Sequence, residues 1–135
     1  MRNFAWWLWI AGAVHLVILA ANIPLPKILR VRESLARVSP MIREMFIVHW
    51  GYIMMILGIF AALCFGFAPE LEGASRLGRF LSAAMAIFWL ARVPVQLFFY
   101  DRETRRRNRV ADVAFLACFS YLGVVLAAAA LGALR

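Results

Sequence analysis

Four long apolar runs dominate the chain: Phe4 to Ile23, Met45 to Ala68, Phe80 to Tyr100 and Val113 to Leu134. Each holds about 20 residues or slightly more, which as an α-helix crosses a hydrocarbon core about 30 Å thick. A helix is the expected form, because lipid offers no partner to an open backbone N–H or C=O. The strands of a membrane barrel would alternate polar and apolar positions, and these runs do not. The pattern predicts an all-α, polytopic membrane protein, a single four-transmembrane-helix bundle over residues 1–135.

The punctuation between the runs refines this. Pro24 and Pro26 end the first helix, since proline cannot continue the hydrogen-bond ladder. Beyond them Ile28, Val31, Leu35, Val38, Ile42 and Met45 recur three then four apart, with Lys27, Arg30 and Arg37 away from the stripe. That spacing predicts a short amphipathic helix over about 27–38, lying in the membrane interface between helices 1 and 2. Ser39-Pro40 reads as an N-cap followed by a first-turn proline, so the second helix starts before its apolar part. Pro69 closes that helix, and Glu70 to Arg79 forms a short loop. Gly58, Ala62 and Gly66 on the second run, and Ser120, Gly123 and Ala127 on the fourth, form small-residue stripes. Such stripes suit close helix packing or a homo-oligomer. The first run is too long for the apolar region of a signal peptide and has only Arg2 before it, so a retained helix is expected.

Composition agrees with this picture. A 135-residue chain makes one domain, and 65 % apolar residues exceed what a soluble domain of that size can hide. The mean hydropathy is +0.82. A net charge of +8 invites thoughts of nucleic acid, but the cations sit in two short segments between apolar runs. That placement belongs to the membrane surface, and nucleic acid is not an expected partner. Lys27, Arg30, Arg32, Arg37 and Arg43 lie between helices 1 and 2, and Arg102, Arg105, Arg106, Arg107 and Arg109 between helices 3 and 4. Against these ten stand four on the other side: Arg2, Arg76, Arg79 and Arg135. The positive-inside rule then places the protein in the inner (cytoplasmic) membrane, multi-pass, with both termini on the periplasmic or outer side. Trp6, Trp7 and Trp9 fall at the outer interface, where indoles prefer to sit.

Polar residues inside apolar helices point to function because they are costly there. His15 and Asn22 lie in the first helix, His49 in the second, and Arg92 and Gln96 in the third. By helix rise, His15 and Arg92 lie about 12 Å from the basic edge, His49 and Gln96 about 6 Å, and Asn22 at it. The outer half is almost purely apolar, so a polar crevice open toward the cytoplasm is expected. Arg92, Gln96 and Tyr100 are four residues apart and share a helix face. Arg92 has no transmembrane carboxylate to pair with, since Glu44, Asp101 and Asp112 lie at the interface. Snorkelling toward the basic edge is the ordinary fate of such an arginine, but side chains lean toward a helix's N-terminus, which here points the other way. Pro94 also leaves the Leu90 carbonyl without its usual donor.

These residues suggest a non-catalytic binding protein or accessory subunit. It holds an anionic amphiphile, such as an anionic membrane lipid, or a partner helix through Arg92, Gln96 and Tyr100, with Asn22 nearby. Membrane-protein partners or a homo-oligomer are compatible with it. A second reading is a b-type haem protein with His15 and His49 as axial ligands, which their unequal depth and opposite lean disfavour; no cofactor is the expectation. A third is a small oligomeric transporter. Enzymatic chemistry lacks parts: no intramembrane carboxylate orients a histidine, no phosphate-cradling glycine loop is present, and Cys64 and Cys118 lie too far apart in depth to pair.

Overall fold

The computed structural model describes residues 4–133; Arg2, Arg135 and the Leu134 end of the fourth apolar run lie outside the described residues. Every regular element within that range is helical. In chain order they are α1 (Phe4–Asn22), α2 (Leu25–Ile28), α3 (Val31–Leu35), α4 (Pro40–Gly66), α5 (Arg76–Pro94), α6 (Arg102–Arg107) and α7 (Arg109–Leu131). A kinked turn, Glu70–Ala74, with Gly73 at a φ of 92°, precedes α5, and a wider π-helical turn, Val95–Phe99, follows it. Four stretches are long and apolar enough to cross a membrane: Ala5–Ile28, Pro40–Gly66, Arg76–Phe99 and Arg109–Leu131.

The long helices form two antiparallel hairpins, α1 with α4 and α5 with α7, and the hairpins join where α1 meets α7. Small residues set how closely they approach. A Cβ on Gly12 would stand 2.9 Å from the Phe65 ring, and one on Gly123 would stand 2.5 Å from Leu90 Cδ2. Gly123 thus does what its stripe on the fourth run suggested, letting Leu90 of α5 lie against the α7 backbone. The stripe on the second run does not pack within the chain. Gly66 has open space around it and Gly58 only grazes Leu19. The core cluster runs through Leu8, Ala11, Leu57, Cys64, Met85, Trp89, Leu122 and Leu126.

The turn into α5 is tightly built. The Ser75 hydroxyl accepts the Gly78 N–H at 2.9 Å and caps the helix. The buried Ser82 hydroxyl donates to the Leu71 carbonyl at 2.8 Å, tying the turn to the helix. A Cβ on Gly78 would strike the Glu70 carbonyl, so only glycine allows this approach.

Two local expectations are corrected. The amphipathic segment is not one helix over 27–38 but two single turns, α2 and α3, broken at Arg30, whose φ of 49° is left-handed. Pro24 and Pro26 start α2 as a separate turn, and the chain must then reorient before Ser39 and Pro40 start α4. The stripe is accordingly discontinuous: Val31, Leu35 and Val38 are half-buried, whereas Ile28, Ile42 and Met45 are exposed. Ser39 occupies the N-cap position of α4, yet its side chain makes no capping bond.

The peripheral helix is α4. Only 11 % of its most apolar stretch is buried, against 28 % for each of the other three. From Pro40 to His49 every residue is exposed. That half of α4 is mostly apolar, with Arg43 and Glu44 near its start, and is only partly covered by its own chain.

Candidate functional site

The polar residues of the spans fall into two different settings. His15 is fully buried in the core. Trp89 donates its indole N–H to His15 Nε2 at 2.9 Å, and because an indole nitrogen only donates, Nε2 must carry the lone pair. Nδ1 therefore bears the proton and donates to the Ala11 carbonyl at 2.7 Å. Phe60 and Trp89 meet the imidazole edge-on, with ring centroids 5.7 and 5.3 Å away. Both ring nitrogens are occupied, so His15 is a hydrogen-bonded joint between α1 and α5.

His49 is elsewhere. The α1–α4 register pairs Gly12 with Phe65, His15 with Phe60 and Leu19 with the neighbourhood of Gly58. Phe60 is eleven residues from His49 on the same helix, about 16 Å of rise. That puts His49 level with Pro26 and Lys27, exposed, with Nδ1 bonded to the Met45 carbonyl at 2.7 Å. The two histidines are not brought together. The depth difference expected from run boundaries, about 6 Å, is too small because α4 begins five residues before its apolar run. Among the described residues no group of three or more metal-ligating side chains is present.

Asn22, Arg92, Gln96 and Tyr100 do come together. They line one crevice of about 460 Å³ at the basic end of the bundle. Its walls follow from the helix register. α1 and α5 run parallel, so the His15–Trp89 bond puts Asn22, seven residues on, level with Gln96. The start of α7 contributes Phe115 and Phe119, α2 contributes Leu25 and Ile28, and α6 crosses the mouth with Thr104 and Arg105. The floor is Phe119, which stacks on Trp89 at 5.3 Å. The crevice therefore ends on the sealed aromatic cluster around His15.

Arg92 is half-buried there, with its guanidinium 5.4 Å from the Tyr100 ring centroid and 5.7 Å from that of Phe119. Both lie within cation–π range. The side chain reaches toward Tyr100, eight residues C-terminal, which corrects the expected lean toward the N-terminus. Two aromatic faces, and the loosened backbone after Pro94, outweigh the ordinary helical preference. The Arg92 guanidinium makes no hydrogen bond or ion pair with any described residue, so its five N–H donors are unspent on the described chain.

The mouth is braced by residues that the sequence reading passed over. Arg105 forms a bidentate pair with Asp112, both contacts at 3.0 Å, and donates from Nη1 to the Leu97 carbonyl at 2.8 Å. Gln96 donates to the same Asp112 at 2.6 Å. This ties the π-helical turn after Pro94 to α6 and α7. The Asp112 hydrogen bonds raise the already high pKa of Arg105 further. Asp101 caps α6 by accepting the Thr104 N–H and hydroxyl, both at 3.0 Å, and these bonds hold its carboxyl below its usual range. Asp112 is therefore satisfied by Arg105 and Gln96 and is not the counter-ion of Arg92. A bidentate pair seven residues apart across a helix break has no periodic signature, whereas the Asp101-to-Thr104 cap does follow a known spacing.

The remaining hydrogen-bonding capacity is mixed: the Arg92 guanidinium is donor only, the side-chain oxygens of Asn22 and Gln96 are acceptors, and the Asp101 and Asp112 carboxylates also line the crevice. Asn22 spends one amide hydrogen on the Ile18 carbonyl at 2.7 Å, and Gln96 spends one on Asp112, leaving each with another. The Tyr100 hydroxyl has no protein partner among the described residues. Free donors around an unpaired guanidinium, over apolar walls, suit an anion attached to an apolar body. The fold and this crevice define an all-helical chain with four membrane-length helices. No family model matches the chain, and neither a curated protein nor a solved structure matches it.

Proposed function

We propose that this protein is a non-catalytic membrane protein that holds an anionic amphiphile in the crevice at the basic end of its bundle. The observation that carries the reading is Arg92: a guanidinium with no ion pair, clamped between Tyr100 and Phe119. The anionic group meets Arg92, assisted by Tyr100, Asn22 and Gln96. The apolar body lies along Leu25, Ile28 and Phe115, which line the same crevice. Burial from water strengthens each charge-assisted hydrogen bond relative to one at the surface.

The test is retention of lipid through gentle purification, measured by native mass spectrometry. Arg92→Leu should lose most of the bound anionic lipid, and Arg92→Lys should keep part of it, since an ammonium preserves charge but not the planar fork. Equal retention in Arg92→Leu and the parent protein would sink the proposal.

The membrane and its orientation belong to the same reading. Ten basic residues flank the crevice end, and among the described residues Arg76 and Arg79 flank the other, which supports an inner membrane with the basic loops in the cytoplasm and both termini outside. Thiol labelling of single cysteines placed in the Arg102–Arg107 and Glu70–Ala74 segments should give opposite accessibility in intact cells.

The exposed half of α4 favours a companion role as an accessory subunit or homo-oligomer, because Pro40 to His49 is only partly covered by its own chain. Cysteine cross-linking along that stretch should trap a specific partner helix at i, i+3, i+4 spacing. Uniform, weak cross-linking would leave lipid as its only neighbour.

A further inference from the structure

On the other side of the Arg105–Asp112 pair lies a second cavity, about 690 Å³ in volume. Arg102, Arg106 and Arg109 line it together with that pair. Arg102, Arg106 and Arg109 form no ion pair with any described residue, whereas their neighbour Arg107 faces Glu103 at 4.0 Å. The pair between the two cavities is neutral in sum. Asp101 lines the crevice with Arg92, so the crevice is balanced in charge although the Arg92 guanidinium has no ion-pair partner among the described residues, and the groove carries the uncompensated charge of three arginines. Orientation alone needs the cations in the loop but does not require them to converge on one groove adjoining the crevice.

Resting on the reading of the crevice as an anionic-amphiphile site, we propose that the ligand is a membrane lipid whose headgroup carries two phosphate groups. One phosphate is held at Arg92 and Tyr100 in the crevice, and the other sits in the groove of Arg102, Arg106 and Arg109. The headgroup straddles the Arg105–Asp112 wall that the two cavities share. Arginine suits both ends, because its planar fork matches phosphate oxygens in pairs. A lipid rather than a soluble polyphosphate is favoured because Leu25, Ile28, Leu29, Phe115 and Phe119 line the crevice with apolar surface that only an acyl or prenyl chain covers.

The experiment compares a bis-phosphatidyl glycerol with phosphatidylglycerol of the same acyl chains, titrated onto the full chain in nanodiscs of neutral lipid. The two-phosphate lipid should bind at least about tenfold tighter, since each arginine near an anionic headgroup contributes about fivefold. Arg106→Gln and Arg109→Gln, in variants whose melting temperature matches the parent, should each remove most of that preference and change single-phosphate binding less than about twofold. The preference should also collapse in about 0.5 M salt, because the groove is open to water. Equal affinity for the two lipids, or a preference that survives both substitutions and the salt, overturns the inference while leaving Arg92 as an anion site. The underlying reading fails separately if Arg92→Leu leaves both affinities unchanged. Free pyrophosphate is the third arm. Displacement of neither lipid at millimolar pyrophosphate supports a lipid headgroup; Arg92-dependent binding of pyrophosphate as tight as the lipid's assigns the site to a soluble anion and overturns the proposal.

Discussion

His15 and Arg92 lie about one helical turn apart in depth, and both are polar groups set in apolar helices. His15 has no surface and no unspent hydrogen bond: it donates to Ala11 and accepts from Trp89. Arg92 is half-buried, and its guanidinium touches two aromatic faces and makes no hydrogen bond to any described residue. A polar residue inside a membrane helix is costly in either case. What separates a structural joint from a candidate site is the capacity left over after the protein has taken its share.

The largest expected effect tests the joint. His15→Ala removes a buried ring and leaves the Trp89 N–H unpaired, which should lower stability by about 3 kcal/mol, read by unfolding in mild detergent. Trp89→Phe keeps an aromatic ring but strands His15 Nε2 and leaves a void where the second ring stood, and about 2–3 kcal/mol should be lost. If either variant matched the parent, His15 would have to be free for other chemistry, and the contrast with Arg92 would vanish.

Gly123→Val comes next. A branched side chain at this position meets Leu90 where even a single Cβ lies too close, so the α5–α7 hairpin should open at a cost of about 1–3 kcal/mol. The crevice should widen with it, since both its polar and apolar walls hang on those two helices. The same change at Gly66, which has open space around it, should be nearly silent. A reversed order would mean that the α4 stripe is the tighter contact in the membrane.

Arg92→Leu sharpens the comparison from the other side. Among the described residues its guanidinium meets only the Tyr100 and Phe119 rings, so stability should change by less than about 1 kcal/mol, while lipid retention falls. A loss as large as that of His15→Ala would make Arg92 a structural residue.

The smallest effect concerns pH at the mouth. The bonds from Thr104 hold the Asp101 carboxyl below its ordinary value, so folding favours its ionised form. That contribution is complete above the unfolded value of about 3.9 and disappears as pH falls through the lower folded value. Amide protection in Arg102–Arg107, taken as the measured exchange rate relative to the intrinsic rate at each pH, should be constant from neutrality to about pH 4 and fall below it, and Asp101→Ala should be less protected near neutrality and converge with the parent at the acid end. A loss of protection already present near pH 6 would point to a different titrating group.

Much of the molecule was legible from the sequence because its reasons are local. Twenty-residue apolar runs have few alternatives to a helix once water is absent. The prolines at 24, 26, 40 and 69 fall at or near element boundaries, as their missing N–H requires. One crevice does collect Asn22, Arg92, Gln96 and Tyr100, but Gln96 lies in the wider Val95–Phe99 turn and Tyr100 beyond it in extended backbone, where the α-helical period that suggested a shared face does not hold. The interfacial segment was less legible: its apolar stripe is real, but periodicity cannot register a left-handed residue at Arg30 that divides it.

Sequence by itself therefore determined an all-helical chain with four membrane-length spans, the clustering of charge at one end and the end at which a polar site would lie. Tertiary structure alone decided which polar residues are spent. Whether a histidine is a joint or stands exposed at the edge depends on the register between α1, α4 and α5, and a shift of one turn moves a side chain by about 5 Å. The same register delivers Trp89 to His15 and Asp112 to Arg105, and so leaves the Arg92 guanidinium without an ion-pair partner among the described residues. Hydrogen bonds and ion pairs act over about 3 Å, far less than the uncertainty with which periodicity places one helix beside another.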